Sequence, residues 1–285
     1  MLDTQTRFDL AQAVARQVGV FLRRAFRPTG VDATRKADHT LVTEADTAAD
    51  ALAQRLLRAA DPHAAIISEE ATTVYPPDRA GAWIVDPLDG THNFAFGLPV
   101  WGVSVAYVDP TGYPLVAAAY FPLLDEMYTA WRGRGAWLNG QRLQVREHAP
   151  EHGVALVGVC WPLPRPYRHT RWPWKVRSVG SGVWMQALVA RGTTLAAVDC
   201  APRVWDAAAA HLLVEAAGGR VTPWRGQGFF PLQPGVDYAT RRARLIAAAN
   251  DAVLAQVQQV LRQSWDEDQA AASAGGTGSQ SAGRG

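Results

Sequence analysis

Cysteine is scarce in this chain, and so is any imbalance of charge. Two cysteines, Cys160 and Cys200, among 285 residues are too few for a disulfide framework, and they form no CxxC pair of the metal or redox kind. A reducing, cytoplasmic setting is therefore expected. Lys and Arg number 28 against 26 Asp and Glu, with no long block of one sign, so charge marks out neither a nucleic-acid nor a membrane partner. No run of about 18 apolar residues suggests a membrane span. The opening MLDTQTRFDL has neither a basic n-region nor an apolar h-region, and secretion is not expected. GxSxG, Walker A and GxGxxG loops are missing. The seven histidines form no HxxxH or HExxH pair, which argues against zinc. No internal repeat is visible.

What is present is a chain with 48% hydrophobic residues, enough to bury a substantial core as one large domain or two smaller ones. Phe8, Ala11, Ala15, Val18, Leu22 and Phe26 recur at spacings of three and four, the stripe of an amphipathic helix. A second helix is expected from Thr43 to Ala60. Short β-type runs follow at 65–68, 82–85, 100–108, 115–121 and 127–131, punctuated by Pro and Gly. The Asn139-Gly140 pair reads as a hairpin turn. Beyond Gly153 strand and helix alternate: strands at 154–160, 175–179, 194–199, 220–223 and 243–248, helices at 182–191, 206–217 and 251–264. This is layered, mixed α and β structure. The small, polar, glycine-rich end is expected to form a disordered tail from about residue 267.

The informative segment is WIVDPLDGTHNF at 83–94, an apolar strand running into a turn rich in carboxylates. Asp86 and Asp89, three residues apart across a Pro-containing turn, can aim both carboxylates and the Leu88 carbonyl at one point. Hard cations such as Mg²⁺ want that all-oxygen set. Asp-Pro-x-Asp-Gly is also simply a favourable turn. Two further acidic places share the ambiguity. Glu69 and Glu70 follow another apolar strand but fit a solvated loop. Asp206 opens a helix ending at Gly218-Gly219 and fits an N-cap. Asp46 closes a Thr43-Glu-Ala-Asp pattern with the form of a capping box.

These pieces come in an order that resembles the inositol monophosphatase family: ISEE at 67–70, WIVDPLDGTHNF at 83–94 and VWDAAAAHLLVEAAGG at 204–219. LVTEAD at 41–46, DEMYTAWRGRGAWLNG at 125–140 and RSVGS at 177–181 extend the likeness over roughly residues 8–262. The resemblance implies an α-β-α-β-α sandwich acting as a single catalytic unit over 1–266. Its metal-binding half would be about 1–150 and its C-terminal half about 151–266. It implies two or three Mg²⁺ ions on Glu69, Asp86, the Leu88 carbonyl, Asp89 and Asp206, with Asp86 bridging two. Four converging carboxylates raise one another's pKa unless cations neutralise them. Catalysis would rest on Glu69, Thr91 and Asp46, the Thr91 hydroxyl pairing with Asp46 to orient water. Substrate contacts would fall on Gly90, Thr91, Gly180, Ser181, Asp199, Asp206 and Lys36.

The implied activity is hydrolysis of a small phosphate monoester, inhibited by Li⁺, in a homodimer. His92-Asn93-Phe94 is similar to the GTxNF pattern of the inositol phosphatases. Two departures stand out. Asp199 replaces a usual Glu. The stretch WPLPRPYRHTRWPWKV between Cys160 and Arg177 is short and too proline-rich for the helix the family has there, and its Arg165, Arg168 and Arg171 are candidates for a second anionic group. Related substrates therefore remain open (fructose 1,6-bisphosphate, histidinol phosphate, adenosine 3′,5′-bisphosphate), as does a non-catalytic binding role.

Overall fold

The computed structural model describes residues 2–35, 41–70, 73–77, 81–146, 155–160 and 172–275. Helix α1 (Thr4–Ala25) begins earlier than its apolar stripe, because the Asp3 carboxylate caps it by accepting the Thr6 amide at 2.7 Å. A minimal ribbon, β1 (Thr34–Arg35) and β2 (Leu41–Val42), precedes α2 (Glu44–Ala60). The Thr43 cap of α2 is the capping box foreseen from sequence.

Seven strands form the first sheet, in chain order: β3 (Ala65–Ser68), β4 (Ala82–Asp89), β5 (Gly102–Val108), β6 (Pro114–Phe121), β7 (Glu126–Trp131), β8 (Gly135–Leu138) and β9 (Gln141–Arg142). A single-turn helix, α3 (Thr91–Ala95), interrupts them after β4. Only β3 and β4 run parallel; the other neighbours are antiparallel. Asn139 and Gly140, at φ 48° and 81°, make the two-residue turn between β8 and β9.

The second sheet has the order β11-β10-β12-β14-β13, from β10 (Leu156–Val159), β11 (Lys175–Arg177), β12 (Ala196–Asp199), β13 (Arg220–Pro223) and β14 (Leu245–Ala248). Helices α4 (Gly182–Ala190) and α5 (Val204–Ala216) connect its strands, and α6 (Asp251–Gly275) closes the described chain.

Alternation along β4 sorts its side chains between two cores. Trp83 and Val85 pack with Val14, Val18, Leu22, Ala49 and Leu57 of α1 and α2, while Ala82 and Ile84 join Val183, Trp205 and Leu213 of α4 and α5. Both faces being covered, every residue of β4 is buried, as two-sided strands require. Helix α5, Ala-rich and buried almost all round, is the filling between sheets. A third core joins the far face of the second sheet to Val253, Val257 and Leu261 of α6. The layers are thus helix, sheet, helix, sheet, helix, the sandwich expected.

Some local readings need correction. β8 is absent from the expected strands, because a four-residue strand between glycine turns carries too little alternation to register. In place of a tail from residue 267, α6 is helical as far as Gly275; Gln269-Ala-Ala-Ala272 has high intrinsic helix propensity. Lys36, most of the Pro/Trp-rich stretch (161–171, with Arg165, Arg168 and Arg171) and residues 276–285 lie outside the described residues.

Candidate active site

The parallel pairing of β3 with β4 sets Ser68 opposite Val85, so the next residues, Glu69 and Asp86, emerge side by side. The Ser68 hydroxyl donates to Asp50 of α2, which anchors this strand end. Past Asp86 the pairing with β5 breaks register and resumes at Asp89 opposite Gly102. That irregularity is the DPLD turn. Asp86 accepts the Leu88 amide at 3.0 Å, the local bond of an Asx turn.

Gly90 then adopts φ 85°, a left-handed conformation that glycine takes without strain. A Cβ there would lie 3.0 Å from the Val100 carbonyl oxygen. The turn delivers Thr91, whose hydroxyl lies 3.0 Å from both the Leu88 carbonyl oxygen and Asp46 Oδ1. Asp46 Oδ2 meanwhile accepts the Thr43 amide at 2.8 Å and the Thr43 hydroxyl at 2.5 Å. The two readings of Asp46 coexist, one oxygen for each.

From the starts of α4 and α5, which connect the strands of the second sheet, come Ser181 and Asp206. The Ser181 hydroxyl donates to Asp89, as does the Gly182 amide at 3.0 Å. Asp206, in the first turn of α5, accepts the Arg203 amide at 2.7 Å and stands close enough to Asp86 for its charge to raise that carboxyl's pKa. Its cap role and its place beside Asp86 are therefore also compatible.

One cavity of about 180 Å³ is walled by Glu69, Asp86, Leu88, Asp89, Gly90, Thr91, Gly180 and Asp206, with His92 and Trp205 completing it. Segments more than a hundred residues apart meet there. Among the described residues no lysine or arginine lines it. Burial, followed by the charges of Glu69, Asp206 and Asp89, pushes Asp86 well above the usual carboxylate range. Burial likewise lifts Asp89 to about 6 against the Ser181 and Gly182 hydrogen bonds. Asp206 is lifted by burial to about 7. Among the described residues no three His, Cys, Asp or Glu side chains are gathered tightly enough to hold an ion as they stand. The donor chemistry nonetheless suits a hard cation: carboxylates and a carbonyl, all oxygen.

Sharing Asp89, Gly180 and Asp206 with it is a second cavity of about 310 Å³, which adds Ser181, Asp199, Cys160, Cys200 and Arg242. Asp199 is buried there, its pKa raised by that burial. Sequence reasoning weighed the cysteines only by number and spacing, yet each directly follows one of two neighbouring strands, and the Cys200 amide donates to Cys160 Sγ at 2.8 Å. Arg242 donates to the Ala201 carbonyl at 2.9 Å and was missed because nothing in its local sequence sets it apart from other loop arginines. Asn93 was quoted only as part of a motif. Buried, it donates to the carbonyls of Val100 and Val179, at 2.5 and 2.8 Å, and so ties α3 to the loop carrying Gly180.

The layered sandwich and its acid-walled cavity at the seam of two sheets define a protein of the sugar-phosphatase architecture. The model of the inositol monophosphatase family matches residues 3–262. The Nus factor SuhB of Escherichia coli K12 is 34% identical over 238 residues, 76% of this chain and 85% of that protein. A histidinol-phosphatase of Chlorobaculum parvum is 32% identical over 228 residues, 77% and 86% respectively. Among solved structures, an IMPase from Thermotoga maritima superposes with a TM-score of 0.77 at 26% identity, covering 92% of this chain and 98% of that one. SuhB from Bartonella henselae gives 0.75 at 27%, covering 89% and 97%. This chain belongs to the inositol monophosphatase family. No helix among the described residues is long and apolar enough to cross a membrane.

Proposed function

We propose that the chain is a Mg²⁺-dependent phosphatase that hydrolyses inositol monophosphate or a similar small polyol phosphate, Li⁺-sensitive, cytoplasmic and dimeric. The observation that carries this reading is the shared cavity: carboxylates from three separate segments wall it, and the Thr91–Asp46 pair stands at its edge. Glu69, Asp86, Asp89, Asp206 and the Leu88 carbonyl would hold two or three Mg²⁺ ions. Bound there, such ions lower the pKa of a water molecule and offset charge on the phosphoryl and leaving oxygens.

The chain's own groups do the rest. Thr91, donating its proton to Asp46, keeps oxygen lone pairs with which to accept a hydrogen bond from the attacking water and orient it. Glu69 flanks that position and takes up the proton. Amides of Gly90 and Thr91 face the phosphate oxygens. Ser181 and Gly182 hold Asp89 in place, and Asp199, with Gly180, accepts hydroxyl protons of the leaving polyol in the adjoining cavity.

A second reading, histidinol phosphate as substrate, is favoured by the histidinol-phosphatase relative and by the buried carboxylate Asp199, which suits an amino group as well as a hydroxyl. The deciding experiment is steady-state kcat/KM with Mg²⁺ over inositol 1-phosphate, histidinol phosphate, fructose 1,6-bisphosphate and adenosine 3′,5′-bisphosphate, each with wild type and Asp86→Asn. The reading expects one substrate to stand out and Asp86→Asn to lose at least about 100-fold in activity while staying folded. Turnover of none of them by the wild type, or an undiminished Asp86→Asn, would favour a binding protein on the same fold.

A further inference from the structure

Sharing no residue with the carboxylate cavity, a hollow of about 440 Å³ lies where α1 passes the edge of the first sheet. Helix α1 packs on β5 and β6, and the outward face of β7 and β8 continues beyond it. Met127, Thr129 and Trp131 alternate onto that face, and Trp137 sits beside Thr129 in register. Phe8 of α1 closes the wall, its ring 5.4 Å from that of Trp131 and 6.0 Å from that of Trp137. The result is an aromatic slot, of a size that suits a small ligand.

Its rim is cationic. The Arg134 guanidinium lies 4.0 Å over the Trp131 ring, and that of Arg16 lies 5.0 Å over Tyr120. Among the described residues neither forms an ion pair. Gln5, Gln12 and Asn139 supply amides, and among the described residues no acid lines the hollow. The nearby acids are engaged: Asp9 accepts from Gln5 at 3.1 Å, and Asp125 from the Tyr120 hydroxyl at 3.4 Å. Three rings offer stacking or edge contacts to a flat molecule, and two unpaired guanidiniums match an anionic oxygen group.

From this complementarity we infer that the hollow between α1 and the β7–β8 hairpin is an accessory binding site for a planar aromatic anion, such as a nucleotide or an aryl carboxylate. The site is independent of the phosphatase reading, since it shares no residue with that cavity.

Isothermal titration of the full chain tests it with four probes. Adenosine 3′,5′-cyclic phosphate has a ring and a diester anion, 4-aminobenzoate a ring and a carboxylate, adenosine the ring alone and dimethyl phosphate the anion alone. Saturable binding of at least one of the first two is expected, with Kd below about 1 mM. The ring-only and anion-only probes should bind at least about 5-fold more weakly, as should the preferred ligand to Trp137→Ala and to the exposed-site variant Arg134→Gln. Which of the two anions binds identifies the source. Binding should persist in Asp86→Asn. No saturable binding of either anion, equal binding of adenosine, no effect of Arg134→Gln, or loss in Asp86→Asn would each overturn the inference.

Discussion

Thr43 and Thr91 divide the two oxygens of Asp46 between them, so a helix cap and a site contact are fused in one side chain. Thr91→Ala should therefore cut kcat by about 10- to 100-fold while leaving the Mg²⁺ concentration for half-maximal activity unchanged, and Thr91→Ser should recover most of the loss; an unaltered kcat would remove Thr91 from the mechanism. The raised pKa values of Asp89 (about 6) and Asp206 (about 7) yield a second expectation. A carboxyl with a folded pKa above its unfolded value binds more protons folded than unfolded between the two, so stability falls as pH rises through that window. Chelator-treated protein should lose melting temperature between about pH 4 and 7. Added Mg²⁺ should flatten that slope, and a metal-free protein that gains stability across the window would contradict the burial-and-repulsion account. At this scale the capping box was legible because its partners are three residues apart. The Thr91–Asp46 bond, spanning 45 positions, leaves no local periodicity and came only from family resemblance, as did the meeting of Asp206 with Asp86.

Among the elements, the one-turn α3 and the loop before α4 are locked by Asn93, and the lock leaves no room beside Gly180. Its φ is 76°, and a Cβ would stand 2.5 Å from Asn93 Oδ1. Gly180→Ala should destabilise the fold by roughly 1–3 kcal/mol, seen as a lowered melting temperature, and should raise KM by pulling Ser181 away from Asp89; an unchanged melting temperature would show that the loop relaxes freely. The elements that sequence patterns revealed were those with one wet face, such as α1 and α2, or long apolar runs, such as β4 and β6. Helix α5 was found more from its flanking Asp206 and Gly218-Gly219 than from periodicity, since a helix buried all round has no polar face to reveal it.

For the molecule as a whole, strand order could not be read from the chain: nothing in the alternation of 243–248 says that β14 slots antiparallel between β12 and β13. Assembly is the other large-scale property. Phe96 and Leu98, 72% and 54% exposed, stand just past α3, and burying such a pair against a second copy would remove it from water. Sedimentation should show a dimer that Phe96→Ser weakens; a wild-type monomer at micromolar concentration would dismiss the homodimer. The seam between the sheets has one more implication. Because Asp89 is held by Ser181 and the cavity wall needs Asp206 beside Asp86, neither sheet owns a finished centre. During refolding, phosphatase turnover should appear only after both sheets have joined, making catalysis itself a clock for that last docking event.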